Sequence, residues 1–232
     1  MRYRPGEPQG AATARAPAEK STTVSAPLFR SVLERLAEDR RWTVLDLGPA
    51  RPVMLEVFAG SRVRLDIADL TDDIERAVYP VDLPAMRDAE PADIVFCWDV
   101  LNYLDRPGIA RLMAQVASRC RAGALVHALI VYSERVMQAL PGQFMPLDSG
   151  TLRTLDRREP DRAAPRYSPE DLAIAMPDYA VDRVLLLGNG MQEYLFRTRV
   201  VRDAPNPPAP SDVPPGPARR ARGRSTYHTR GV

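Results

Sequence analysis

The spacing of hydrophobic positions changes repeatedly along the chain, and each change marks an element. Leu28, Val32, Leu33 and Leu36 recur at helical intervals and predict an amphipathic helix over about 27–40. Residues 42–47 form a short apolar run closed by Gly48, the pattern of a buried strand. Helical spacing returns at Met54, Leu55 and Phe58, with Pro52 suited to the first turn. A second strand is predicted at 62–67, a short helix at 71–76, and a weak strand at 78–81 that Pro80 confines to a sheet edge. Residues 93–98 are continuously apolar after Asp93, as in a strand covered on both faces. Pro107 opens a helix carrying Ile109, Leu112, Met113 and Val116, with Gly123 as its expected terminator, and 124–132 is the next buried strand. Ser168-Pro169-Glu170-Asp171 combines a capping hydroxyl, a first-turn proline and two acids near a helix N-terminus. Strands at 181–187 and 191–201 flank Gly188-Asn189-Gly190 as a hairpin.

Buried strands alternating with helices predict an α/β domain built on a mostly parallel sheet. Its ligand belongs at the carboxyl ends of the strands, where the strand order reverses. The expected domain covers 26–202. Residues 1–25 have no hydrophobic period, and 203–217 contain seven prolines, so both 1–25 and 203–232 are expected to be disordered. The polar, proline-containing stretch 140–165 is expected to be a long loop.

Composition changes this picture little. With 45% hydrophobic and 27% charged residues in 232, the chain is an ordinary globular protein. Its net charge of +2 is uneven: the two ends are basic and 26–202 carries about −3, which argues against a nucleic-acid binder beyond weak contact by the Arg-rich tail. Cys97 and Cys120 make neither a disulfide framework nor a zinc site, and no metal motif is present. No secretory signal or membrane span is read, so the expected setting is cytoplasmic. Basic charge that is nearly all arginine suggests a GC-rich bacterial genome.

The candidate chemistry gathers at strand ends. Asp46-Leu47-Gly48-Pro49-Ala50 lies where the first parallel strand turns into a helix, a place where backbone N–H groups meet ligands. Asp66 ends the next strand twenty residues later, the spacing at which an acid reaches ribose hydroxyls. Asp82 and Leu83 follow the weak strand. Trp98-Asp99-Val100-Leu101-Asn102-Tyr103 leaves the most apolar one. Each also has a plain structural reading: a tight turn at Asp46 and Gly48, solvated acids at Asp66 and Asp82, a helix cap at Asp99. His127, inside an apolar strand, reads as a core histidine.

The series WTVLDLGPA, VRLDIAD, VDLP, DIVFCWDVLNYL and CRAGALVHALI, with the terminal RVLLLGNGMQEYLFRTR, resembles the class I S-adenosylmethionine-dependent methyltransferases over about 27–201. The resemblance implies a Rossmann-like, seven-stranded, mostly parallel sheet with a C-terminal antiparallel hairpin and helices on both faces. It implies S-adenosylmethionine as cofactor, with Asp46, Gly48 and Ala50 by its methionine moiety, Asp66 and Ile67 at the ribose, and Asp82 and Leu83 near the adenine. Trp98 would belong to the floor between cofactor and a small-molecule acceptor. Asp99 would serve as the base, where the acceptor needs one, and Tyr103 would position the acceptor. Of the family's three alternating glycines only Gly48 is present, with Ala50 and Pro52 at the later positions. That departure leaves two other readings in view: a cofactor- or partner-binding scaffold of the same fold, and, less well, a nicotinamide-dependent dehydrogenase, whose diphosphate needs the later glycines. Oligomeric state is open.

Overall fold

The computed structural model describes residues 21–86, 89–155 and 161–199, all within one compact unit spanning Met1–Val200. In chain order the elements are β1 (Ser21–Ser25), α1 (Pro27–Leu36), β2 (Trp42–Asp46), α2 (Pro52–Val57), β3 (Val63–Ile67), α3 (Thr71–Glu75) and β4 (Ala92–Trp98). A 3-10 turn at Val100–Tyr103 leads to α4 (Arg106–Ser118), β5 (Cys120–Val131), β6 (Val136–Gln138), β7 (Gln143–Asp148) and β8 (Thr151–Leu155). The chain closes with β9 (Asp161–Ala163), α5 (Pro169–Ala175), β10 (Tyr179–Leu186) and β11 (Met191–Thr198).

The principal sheet has the order β10-β11-β5-β4-β2-β3. β3, β2, β4 and β5 run parallel, while β11 lies antiparallel to both β5 and β10. The fold is α/β and Rossmann-like. Strand side chains alternate between two cores. Ile94, Phe96 and Trp98 join Phe29, Val32 and Met54 under α1 and α2, whereas Val95 and Cys97 join Ile109, Leu112 and Met113 under α4.

Four expectations are corrected. The sheet has six strands among the described residues, not seven. No strand forms at 78–81, where Pro80 has no N–H to give and Val78 and Tyr79 are exposed, so β3 is the edge. The predicted 140–165 loop instead carries β7, β8 and β9. β7 and β8 form a three-stranded sheet with β1, and β9 pairs with β6. Ser21–Ser25 therefore belongs to the domain, although the arm was expected to be disordered through residue 25; the rest of the arm and the tail from 203 lie outside the described residues. Gly123 does not end α4, which stops at Ser118; it stands inside β5 at φ +78°, a conformation that suits glycine.

α5 starts as predicted, with Ser168 Oγ accepting from Asp171 N–H and the Asp171 carboxylate accepting from Ser168 N–H. α1 begins differently. Its N-cap, Ala26, offers no side-chain acceptor, and the orphan N–H groups of Leu28 and Phe29 donate to Glu193 of β11 at 2.9 and 2.7 Å. No helix of the described residues is long and apolar enough to cross a membrane.

Candidate functional site

The chain runs from β2 outward to β3, then returns to the other side of β2 as β4, so the strand order reverses between β2 and β4. That is where an open α/β sheet leaves a crevice at its carboxyl edge. Asp46 ends β2 and Trp98 ends β4, facing each other across it. Trp98 Nε1–H donates to Asp46 Oδ1 at 2.6 Å, and the N–H of Gly48 donates to the same oxygen at 2.8 Å. Burial pushes the Asp46 carboxyl up to about 6 despite these donors and the nearby Arg51. Trp98 takes φ +49°, an uncommon conformation for a bulky residue, and it turns the indole over the β2 turn.

Gly48 is required there: a Cβ at this position would stand 2.7 Å from Trp98 Cδ1. Phe144 of β7 stacks on the outer face of the indole, with 4° between the planes. The space left among Gly48, Arg51, Trp98, Asp99 and Phe144 is about 10 Å³, room for one water. The acids at the strand ends are of the kind S-adenosylmethionine would use. With Trp98 and Phe144 so placed, however, the residues do not fit its methionine end.

The remaining predicted positions separate. Ala50 is exposed beyond the turn. Asp66 pairs with Arg64 on its own strand at 3.1 Å, and Ile67 beside it is 37% exposed. Asp82 lies in the loop before β4, where Arg111 of α4 grips both its oxygens at 2.6 and 2.8 Å and Gln115 adds a third bond; these donors hold its carboxyl down at about 2. Gln115 also accepts from the N–H of the buried Leu83, so this pair fastens the loop to α4. Asp46, Gly48, Trp98, Asp99 and Tyr103 are thus brought together, while Asp66 and Asp82 are held by arginines.

Asp99 is the unusual member. It is 6% exposed, and burial raises its carboxyl to about 7. Its Oδ2 accepts from the N–H of Gly142 at 2.7 Å, while its buried Oδ1 accepts from no other described residue. Tyr103 Oη lies 3.5 Å from Oδ2 and donates to the Leu140 carbonyl at 2.5 Å, tying the turn after β4 to the segment before β7. Asn102 is fully used by the backbone: its Nδ2 donates to Asp99 O and Leu129 O, and its Oδ1 accepts from Val131 N–H. Asp99 and Tyr103 both border a cavity of about 230 Å³ between the end of β5 and the strands β6–β8.

Two participants were missed from the sequence. Phe144 belongs to a segment expected to be a loop. Glu193, fully buried, accepts from Leu28, Phe29 and His127, whose Nε2 lies 2.8 Å away. The His127 ring meets Phe29, Phe96 and Trp98 edge-on, so this buried pair supports the floor beneath the indole. An acid at an inward position of an apolar strand, together with a helix start lacking its own cap, is the signal that could have found it. Among the described residues, no three His, Cys, Asp or Glu side chains gather to hold a metal ion.

No family model matches the chain, and no curated protein matches it. Among solved structures it is similar to the 1,6-didemethyltoxoflavin-N1-methyltransferase of Burkholderia thailandensis, bound to 1,6-didemethyltoxoflavin and S-adenosylhomocysteine (12% identity, TM-score 0.46, covering 74% of this chain and 77% of that one). It is also similar to the N-methyltransferase NodS of Bradyrhizobium japonicum WM9 (14% identity, TM-score 0.44, 75% and 96% covered). A third is an S-adenosylmethionine-dependent methyltransferase of Clostridium acetobutylicum ATCC 824 (12% identity, TM-score 0.43, 76% and 93% covered). Likenesses of this size transfer no residue role to this chain.

Proposed function

We propose that this protein is an S-adenosylmethionine-dependent methyltransferase acting on a small-molecule acceptor, with its cofactor cleft closed by Trp98 and Phe144 in the conformation described here. The observation that carries the reading is the placement of Asp99: a buried carboxyl with one unpartnered oxygen, beside the strand-order reversal and on the wall of a separate cavity. The neighbours bound to cofactor or its product agree with it, as do the acids at the ends of β2 and β3.

In this reading the cofactor supplies an activated methyl group, and the chain supplies alignment and exclusion of water. Asp99, titrating near neutrality, takes a proton from the acceptor. Tyr103 holds the Asp99 turn against the cavity wall. Asp66 serves the ribose end once it shares its hydrogen bonds with Arg64. Trp98 and Phe144 must turn outward before the β2 turn is free, so binding carries a conformational cost.

Calorimetric titration of the full chain with S-adenosylmethionine tests this. Micromolar binding is expected, tightened several-fold by Phe144→Ala, which removes the ring stacked on Trp98, and weakened by Asp66→Ala. Absence of binding to the wild type and to Phe144→Ala alike overturns the reading and leaves a scaffold of the same fold.

A further inference from the structure

The cavity beside Asp99 has a one-sided chemistry. Its walls are largely apolar, with Val131, Met137, Phe144 and Met191 among them, and two carboxylates border it: Asp99, buried, and Glu134, exposed on the segment after β5. Among the described residues no arginine, lysine or histidine borders it. The larger space of about 650 Å³ across the Asn102–Tyr103 wall carries both signs, bordered by Asp105, by Arg162 and by Arg111, which is paired with Asp82. The described charged lining of the first space is therefore acidic only, while that of the second is mixed. An anion in the first would face both carboxylates with no counter-charge among the described lining residues, and a neutral alcohol would donate a hydrogen bond but bring no counter-charge.

We propose that the cavity bordered by Asp99 and Glu134 is the acceptor site, and that it takes a small basic amine with an apolar body. This deepens the methyl-transfer reading above and rests on it. The ammonium group sits at the Asp99 end, its apolar body lies against Met137, Phe144 and Met191, and Glu134 at the rim adds attraction for the cation. Asp99 Oδ1 accepts a hydrogen bond from no other described residue. On proton transfer an N–H bond of the ammonium breaks and an O–H bond forms on Asp99. This leaves a neutral carboxylic acid and a neutral amine whose nitrogen lone pair is free to attack. Charge balances, and no further reactant is needed for this step.

The test is equilibrium binding to the full chain without cofactor, using three probes of one shape: 2-phenylethylamine, 2-phenylethanol and phenylacetate. The amine is expected to bind at least about ten-fold tighter than the alcohol, as a charge-assisted hydrogen bond provides, and the carboxylate weakest of the three. Asp99→Asn and Glu134→Gln should each weaken the amine several-fold and leave the alcohol unchanged; the exposed Glu134 gives a variant that does not disturb folding. Amine affinity should rise as pH increases through the region near neutrality, where Asp99 ionises. Equal binding of amine and alcohol, preference for phenylacetate, or an amine affinity unmoved by both variants overturns the proposal. Amine selectivity in a chain that never binds S-adenosylmethionine upholds the cavity's specificity and removes the methyl-transfer reading, so the two failures are distinguishable.

Discussion

Asp46 and Asp99 stand at the ends of neighbouring parallel strands, both buried, both with carboxyls raised by desolvation, yet their surroundings differ in kind. Around Asp46 the protein has used its own groups: an indole N–H and a backbone N–H both donate to Oδ1, and Phe144 stacks on that indole. Around Asp99 one oxygen accepts from no other described residue, and a cavity of about 230 Å³ lies alongside. The same residue type at equivalent strand ends is finished on one side and unfinished on the other. Buried polar groups are ordinarily satisfied, so the unfinished one points to a ligand. The finished one points to a group that must move before a ligand enters.

The comparison breaks most sharply at Trp98. Trp98→Ala removes an indole that is 5% exposed and in contact with Phe29, Phe96 and Phe144, and should cost about 3–5 kcal/mol in denaturant unfolding. Next in size is pH. Both carboxyls are raised in the folded protein, so between their ordinary range and the folded values the native state binds more protons than the unfolded one. Stability then falls as pH rises from about 4 to about 7. At roughly 1.4 kcal/mol per tenfold change in the protonation equilibrium, the fall is of the order of a few kcal/mol. Melting temperature against pH should fall less steeply between about 4 and about 6 in either Asp46→Asn or Asp99→Asn, and the part between about 6 and about 7 should vanish only in Asp99→Asn. The smallest effect belongs to Asp82, whose exposed pairing with Arg111 is screened by solvent: Asp82→Asn should leave the melting temperature almost unmoved at moderate salt.

How much of this was legible depended on how far apart in the chain the interacting residues lie. The runs at Trp42–Asp46 and Ala92–Trp98 announced buried parallel strands because both faces are covered and apolar residues dominate them, Thr43 and Asp93 lying near their starts. The start of α5 was legible because Ser168 and Asp171 cap it from within four residues. β1 was not, since Ser-Thr-Thr-Val-Ser buries only Val24 and owes its strand to β8, more than a hundred residues later. The closure of the crevice was illegible for the same reason: Phe144 meets Trp98 only after β7 has paired with β8. The acids at 46, 66 and 99 could be assigned to strand ends, but whether each is saturated is decided by partners from other elements, Trp98 for the first and none for Asp99 Oδ1.

The pairing of β1 with β8 also fixes an order of assembly. Residues 21–25 lie directly before α1, and their partners at 151–155 emerge after the four parallel strands have been made. Closing so long a loop costs entropy that the few contacts of a five-residue strand repay poorly on their own. The small sheet therefore closes late, onto a domain already built, and opens first when the molecule fluctuates. Phe144 stands on β7, the far edge of that sheet, so the ring that covers Trp98 belongs to this late-closing unit.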